Sequence, residues 1–487
     1  MFHVKHGRRA VAVLAALAAG TALPGTMAVA RAESLPGYRT ASGATQVRGT
    51  SSAADAPQLT PGLHTDAIKR GEQKYYAVTL DAKHTAYFSA VAAPRPGTKV
   101  EDYKDKLTIS IQDSSGTSCG PDATPSFSGG GMAYPIADYA ARRIGADRTE
   151  CQKAGPYYVV VRREGSATSG PEPWPIELNH LDEPPLKGAA PARPAPGSWS
   201  TATPAPRTDP TKRTARGGTG FNDAGSVAPG VWKDHIKPGE TRFYRVPVDW
   251  GQRLNLSAEL PNASSGATDF LPSALGLAVY NPARGAVGAP NFVPYEGKPA
   301  VAPAFTAPVD YGNRLNPTDS VNAMRFAGWY YLAVSLSPNT ARYFSKGTEL
   351  TLRVDVRGTA KAGPGYAEPA GTFSVTPEDQ EMARNGQTAE EAAKSGTLTT
   401  VGYAGIGAGS VLLAGLGAWT LAARRSAARA LAGPGVGPGG GPGTGPAPLP
   451  QATTQAAPSS SANRPTQPGR PGEQTPHQQQ FRPPQGW

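Results

Sequence analysis

Apolar residues fall on every second position in short runs through most of this chain. After Gly71-Glu72, Tyr76, Val78 and Leu80 alternate with polar or variable neighbours, and after Gly239-Glu240, Tyr244, Val246 and Val248 do the same. A period of two in β-branched and aromatic residues marks a strand with one face buried. Further runs follow in a fixed order, "AYFSAVA", "LTISIQD", "YYVVV" and "WPIELNHL", answered later by "LNLSAEL", "LGLAVYN", "YYLAV" and "TELTLRVDV". Turn-forming clusters such as "DSSG" and "NPARG" separate them. No segment in either half carries a sustained helical period with caps, so the pattern predicts antiparallel sheets.

The two halves are copies. "IKRGEQKYYAVTLD" begins at Ile68 and "IKPGETRFYRVPVD" at Ile236, and Gly49 to Ala90 lies on Gly217 to Ala258 without a gap. Matched pairs include Asp55/Asp223, Asp66/Asp234, Glu72/Glu240 and Tyr76/Tyr244. "AGPYYVVV" from Ala154 echoes "AGWYYLAV" from Ala327 at a slightly larger offset, which places the extra residues in loops. A period this long is a duplicated domain rather than a solenoid repeat. The expected fold is all-β, with two tandem antiparallel β-sandwich domains, jelly-roll-like, over 49–183 and 217–358.

The Gly-Glu turn, the aromatic-x-Val strand, the middle "L-x-I/L-x-I/V" strand and the Ala-Gly-x-Tyr-Tyr segment together resemble the bacterial pre-peptidase C-terminal domain. That family is a β-sandwich appended to secreted enzymes and surface proteins. The whole chain also looks like signal-bearing, single-pass surface proteins of high-GC actinobacteria, some of which carry a von Willebrand factor A domain before such modules. This sequence has no room for an A domain and no Asp-x-Ser-x-Ser motif, so metal-dependent adhesion does not carry over. Some sandwich relatives bind calcium near the module's start. Here only scattered Asp55, Asp66 and Glu72 stand there, and no cofactor or metal is expected.

The ends place the modules. Lys5, Arg8 and Arg9 precede an apolar core too short to span a bilayer, and small-x-small sites end at Ala30 and Ala32, so 1–32 reads as a signal peptide. Residues 399–423 hold an uncharged apolar run, "TVGYAGIGAGSVLLAGLGAWTLAA" from Thr400, long enough for about 30 Å of hydrocarbon. Arg424, Arg425 and Arg429 follow it while acidic residues precede it, so the bulk faces out and the tail, 424–487, stays in the cytoplasm as a disordered Pro/Gly-rich segment. The expected localisation is the plasma membrane, single-pass. Small-residue faces at Gly405/Gly409 and Ala414/Ala418 offer weak self-association through the transmembrane helix. Segments 184–216 and 359–398 read as a Pro-rich linker and a juxtamembrane linker, the latter with a short helix at "AEEAAKSG".

Composition then removes candidates. The net charge of +11 comes largely from the signal and from six tail arginines, which leaves the modules close to neutral and implies no nucleic-acid partner. Cys119 and Cys151 both lie in the exported part and read as one disulfide. Gly116-Thr117-Ser118-Cys119-Gly120 fits a nucleophile elbow, but no helix-forming sequence follows. Gly129–Gly131 lacks the Lys-Ser/Thr of a phosphate loop. His64, His84, His180 and His235 have no metal spacing and read as surface histidines. Asp66/Asp234 and Glu72/Glu240 read as turn and strand-start residues. Trp174, Trp232 and Trp250 fall outside the alternating core pattern and stand as candidate surface contacts, against a competing role in strand-end packing.

The reading is a non-enzymatic, membrane-anchored binding or scaffold protein of the cell surface, with an envelope polymer or another protein as partner. The alternatives are a membrane-anchored extracellular hydrolase using Ser118 or an unrecognised carboxylate pair, and an accessory subunit of an envelope secretion or signalling complex.

Overall fold

A computed structural model describes residues 34–394, apart from 146–147, 198, 200–210, 264–265 and 268. The segments read as signal peptide, membrane span and cytoplasmic tail lie outside the described residues. Among the described residues no helix is long and apolar enough to cross a membrane.

Among the described residues strands and loops dominate, helices are few and short, and no sheet closes into a barrel. The first half contributes β1 (Gly62–Ile68), β2 (Gln73–Leu80), β3 (Thr85–Ala92), β4 (Lys106–Asp113), β5 (Ile136–Arg142), β6 (Gly155–Glu164) and β7 (Trp174–Glu183). They form one sheet in the order β1-β7-β3-β5 and a second in the order β2-β6-β4. Their inward residues, Tyr76 and Val78 with Phe88, Ala90, Ile109, Val159 and Ile176, share one core. The second half contributes β8 (Gly230–Ile236), β9 (Thr241–Val248), β10 (Arg253–Leu260), β11 (Leu271–Tyr280), β12 (Asn291–Tyr295), β13 (Ala300–Phe305), β14 (Gly328–Leu336) and β15 (Thr348–Arg357). These order as β8-β15-β10-β13 and β9-β14-β11-β12 around a separate core. Thr45–Gln46, Lys212–Thr214 and Gly225–Ser226 add short parallel edges, and apart from these and β12 the two sandwiches repeat one antiparallel topology.

The repeated letters have repeated bonds. Asp66 accepts from Gly49 N at 2.8 Å and Tyr76 Oη at 2.9 Å, and Asp234 accepts from Gly217 N at 2.7 Å and Tyr244 Oη at 2.7 Å. Glu72 accepts from Lys69 N at 2.6 Å, as Glu240 does from Lys237 N at 2.8 Å, which closes each Gly-Glu turn. Tyr157 and Tyr330 each donate to the carbonyl four residues earlier, at 2.6 and 2.7 Å. The paired acids therefore satisfy turn amides and tyrosine hydroxyls of the fold, a structural role. In the first copy, Lys74 also pairs with Asp66 at 2.9 Å.

The sandwiches touch directly. Val91 and Ala137 of the first pack with Phe221, Phe243, Ala278 and Tyr280 of the second, and Tyr87 packs with Ala283, Phe326 and Phe373. Polar links cross the same seam: Arg284 pairs with the fully buried Glu177, Asn222 donates to Glu177 at 2.9 Å, and Arg325 donates to Tyr139. Burying the Glu177 charge is tolerable because Arg284, Tyr38, Ala41 N and Asn222 all donate to it.

Neither linker behaves as a spacer where it is described. Lys187 N donates to Gly365 O and Ala367 N to Pro185 O, so the two segments pair with each other. The later one runs as a strap over both sandwiches. Tyr366 Oη donates to Glu183 at 2.7 Å, and Phe373 stacks on Phe326 with 4.7 Å between centroids. It ends in α2 (Pro377–Asn385), following the short α1 (Asp319–Asn322), and α3 (Ala389–Lys394). Thr376 and Asp379 close a capping box at the start of α2, and Asp379 accepts from Trp329 Nε1 at 2.8 Å. The short helix expected at "AEEAAKSG" is α3.

Candidate recognition cleft

Between the sandwiches lies an open cleft of about 840 Å³. One wall is the loop 119–128 with Asp138, Tyr139 and Arg143 at β5; the other is Ser273, Tyr280, the segment 286–292, and Asp319, Asn322 and Arg325 near α1. β5 reaches this position because its two faces are both occupied. Ile136 and Ala140 enter the first core, while Ala137 meets the second sandwich. Phe292 of β12 spans the gap, its ring 5.5 Å from that of Tyr134. A Cβ on Gly276 would stand 2.4 Å from the Phe292 ring and one on Gly129 2.9 Å, so glycine on both sides makes room for it.

The charges of the cleft are fixed by their surroundings. Asp138 accepts from Tyr139 N at 2.8 Å and Ala286 N at 3.3 Å. Desolvation between the sandwiches outweighs these bonds and pushes its carboxyl up to about 6. The Arg325 guanidinium stands 5.4–5.8 Å from the rings of Tyr87, Tyr139 and Phe326. Arg143 donates to Arg314 O of the other sandwich at 2.9 Å. Carboxylates, guanidinium groups and flat rings thus line one preformed groove. It suits a ligand with polar edges and apolar faces, such as a sugar chain or an extended peptide.

The sequence-derived candidates lie elsewhere or serve structure. Cys119 and Cys151 are disulfide-bonded, and Cys119 borders the cleft. Ser118 Oγ donates to Gly120 O at 2.7 Å, and no histidine is hydrogen-bonded to it among the described residues. The amides of Gly130 and Gly131 are taken by Asp102 at 2.7 and 3.0 Å. His64 and His180 are buried rather than on the surface, with His64 Nε2 2.8 Å from Thr60 O. Among the described residues no group of three or more His, Cys, Asp or Glu could hold a metal ion.

The three tryptophans are packing residues, not surface contacts. Trp174, Trp232 and Trp250 are 1, 2 and 8 % exposed. Arg163 lies over Trp174 at 3.6 Å. Trp232 donates to Ala228 O at 2.7 Å and is approached by Gly386, while Gly363 of the strap lies against Trp250. Each is covered by something the alternation does not display: a buried arginine, or a segment that reads as linker. The cleft residues were missed because their meeting depends on docking of two copies distant in sequence.

No family model and no curated protein matches the chain. Among solved structures, it is similar to the pre-peptidase C-terminal domain of collagenase from Bacillus anthracis, at 13 % identity and TM-score 0.16, over 26 % of this chain and 95 % of that one. It is also similar to the human MASP-1/3 CUB1-EGF-CUB2 domains, at 10 % identity and TM-score 0.15, over 60 % of this chain and 99 % of that one. A third likeness is to the tandem CBM51 modules of a family 98 glycoside hydrolase from Streptococcus pneumoniae, at 7 % identity and TM-score 0.17, over 61 % and 83 %. Scores this low carry no argument about function.

Proposed function

We propose that this protein is a non-enzymatic recognition module of the cell surface, anchored through 399–423, which binds an envelope polymer or a protein partner in the cleft between its sandwiches. The observation that carries this reading is the cleft itself, walled by both copies and held in shape by the Glu177–Arg284 and Arg325–Tyr139 links. Rigid walls lower the ordering cost of binding. The engagement of Ser118 Oγ by a backbone carbonyl supports the non-enzymatic part.

A photo-crosslinking residue at Asn291 on the cleft, in the full chain on intact cells, should capture an adduct. One at the exposed Lys298, outside the cleft lining, should not. Filling the cleft with Ala289→Trp should abolish the adduct. Equal capture at both positions, or capture that survives the filling, would reject the cleft as the site. Ester, peptide and glycoside hydrolysis lost on Ser118→Ala would reverse the non-enzymatic reading.

A further inference from the structure

One aromatic side chain is displayed against the grain of its backbone. Tyr103 is 73 % exposed and sits at φ 61°. A bulky residue in the left-handed region is an outlier that persists only where the surroundings enforce it. Here they do. Tyr103 N donates to Phe127 O at 2.8 Å. On one side of it, Asp102 is tied to Gly130 and Gly131; on the other, the buried Asp105 accepts from Glu101 N at 2.7 Å and from Ser169 Oγ. The turn is pinned on both flanks, and the ring at its apex is held out to water.

The ring stands over a shallow groove of about 510 Å³, distinct from the cleft although Tyr103 borders both. Lys104, Lys106 and Arg162 line this groove with the acid Glu164, while the Arg163 guanidinium is buried over Trp174. Lys106 and Arg162 share that carboxylate, at 3.3 and 3.6 Å, and Lys104 reaches Glu101 at 3.0 Å. Positive charge is therefore in excess beside one flat apolar face.

We infer that Tyr103 and this basic groove form a binding site for an anionic polysaccharide. The C–H face of a sugar ring packs on the tyrosine, and its sulfate, phosphate or carboxylate groups meet Lys104, Lys106 and Arg162. Single-stranded nucleic acid is disfavoured because its binders stack successive bases on several rings, and this groove has one. The site goes beyond the cleft reading, and because Tyr103 borders both, Arg162, which lies outside the cleft lining, is the residue that separates them.

Affinity electrophoresis of the full chain in detergent provides the test, with dextran sulfate, neutral dextran and oligo(dT) as probes. Dextran sulfate should retard the protein, and neutral dextran should not. Tyr103→Asn tolerates the left-handed backbone, so it should melt no lower than the parent while binding dextran sulfate about tenfold more weakly, in the range expected for loss of one stacking ring. Arg162→Gln should weaken binding as well. The inference is overturned if dextran sulfate causes no retardation, if Tyr103→Asn binds as the parent does, or if oligo(dT) is held as tightly. Adduct formation at Asn291 should persist in Arg162→Gln, which lies outside the cleft lining, so that failure of this site and failure of the cleft are told apart.

Discussion

Arg284 of the second sandwich donates to Glu177 of the first, with both side chains withdrawn from water. Tyr38 Oη at 2.9 Å, Ala41 N at 2.9 Å and Asn222 complete the shell around the carboxylate. Removing one partner leaves the other charge buried and uncompensated. Glu177→Ala should therefore cost about 3–5 kcal/mol in urea denaturation. The double change Glu177→Met, Arg284→Met should recover only part of that loss, because it removes the uncompensated charge but leaves the Tyr38, Ala41 and Asn222 donors without their acceptor. A single change within 1 kcal/mol of the parent would show that the pair does not hold the seam.

Asp138 gives the seam a pH dependence. Its carboxyl is pushed up to about 6 by desolvation, against 3.8 for the free group. The folded protein thus binds this proton more tightly than the unfolded chain, and stability falls as pH rises from about 4 through about 6. Asp138→Asn removes the penalty and can still accept from Tyr139 N. It should stabilise the protein at pH 7.5 by on the order of 1 kcal/mol, discounted for partial exposure. At pH 4 it should give no gain. Thermal melts at the two pH values decide it, and an equal gain at both would refute the assignment.

The copies should fail alike. A Cβ on Gly49 would stand 2.6 Å from the Tyr76 ring, and one on Gly217 2.8 Å from the Tyr244 ring. Each tyrosine is fixed by its bond to Asp66 or Asp234. Gly49→Ala and Gly217→Ala should each cost about 1–3 kcal/mol by forcing a packed ring aside. Denaturant midpoints measure both, and a loss in one copy alone would mean that the shared motif is not equally structural.

Phe373 tests the strap. It is buried, stacked on Phe326 and edge-on to Tyr87 at 5.9 Å. Phe373→Ala should cost about 3 kcal/mol locally and speed protease cleavage within 359–376, with the strands of both sandwiches staying protected. Cleavage at the parental rate would place the strap's hold elsewhere.

β2 was legible because it has one wet and one dry face, and the duplication carried that reading to β9, whose outer Phe243 and Arg245 are covered. β5 was not: "IADYAAR" shows no alternation because the first core takes one face and the second sandwich the other. β12 and β13, with their proline-containing sequences, gave no pattern either. Nothing local in the sequence says that Glu177 and Arg284 meet. α2 was readable in principle, because Thr376-Pro377-Glu378-Asp379 is a helix-start signal. The cleft is a product of docking, and docking is written in pairs of positions rather than in runs.

The strap also sets an order of failure under load. Tension applied beyond Lys394 would reach α3 and its Arg39–Glu390 pair first, then α2 and its Trp329–Asp379 bond, then Phe373 and the Tyr366–Glu183 bond, before it could part the sandwiches. A pull from that end would be absorbed by successive peeling steps, and the cleft would be the last thing to lose its shape.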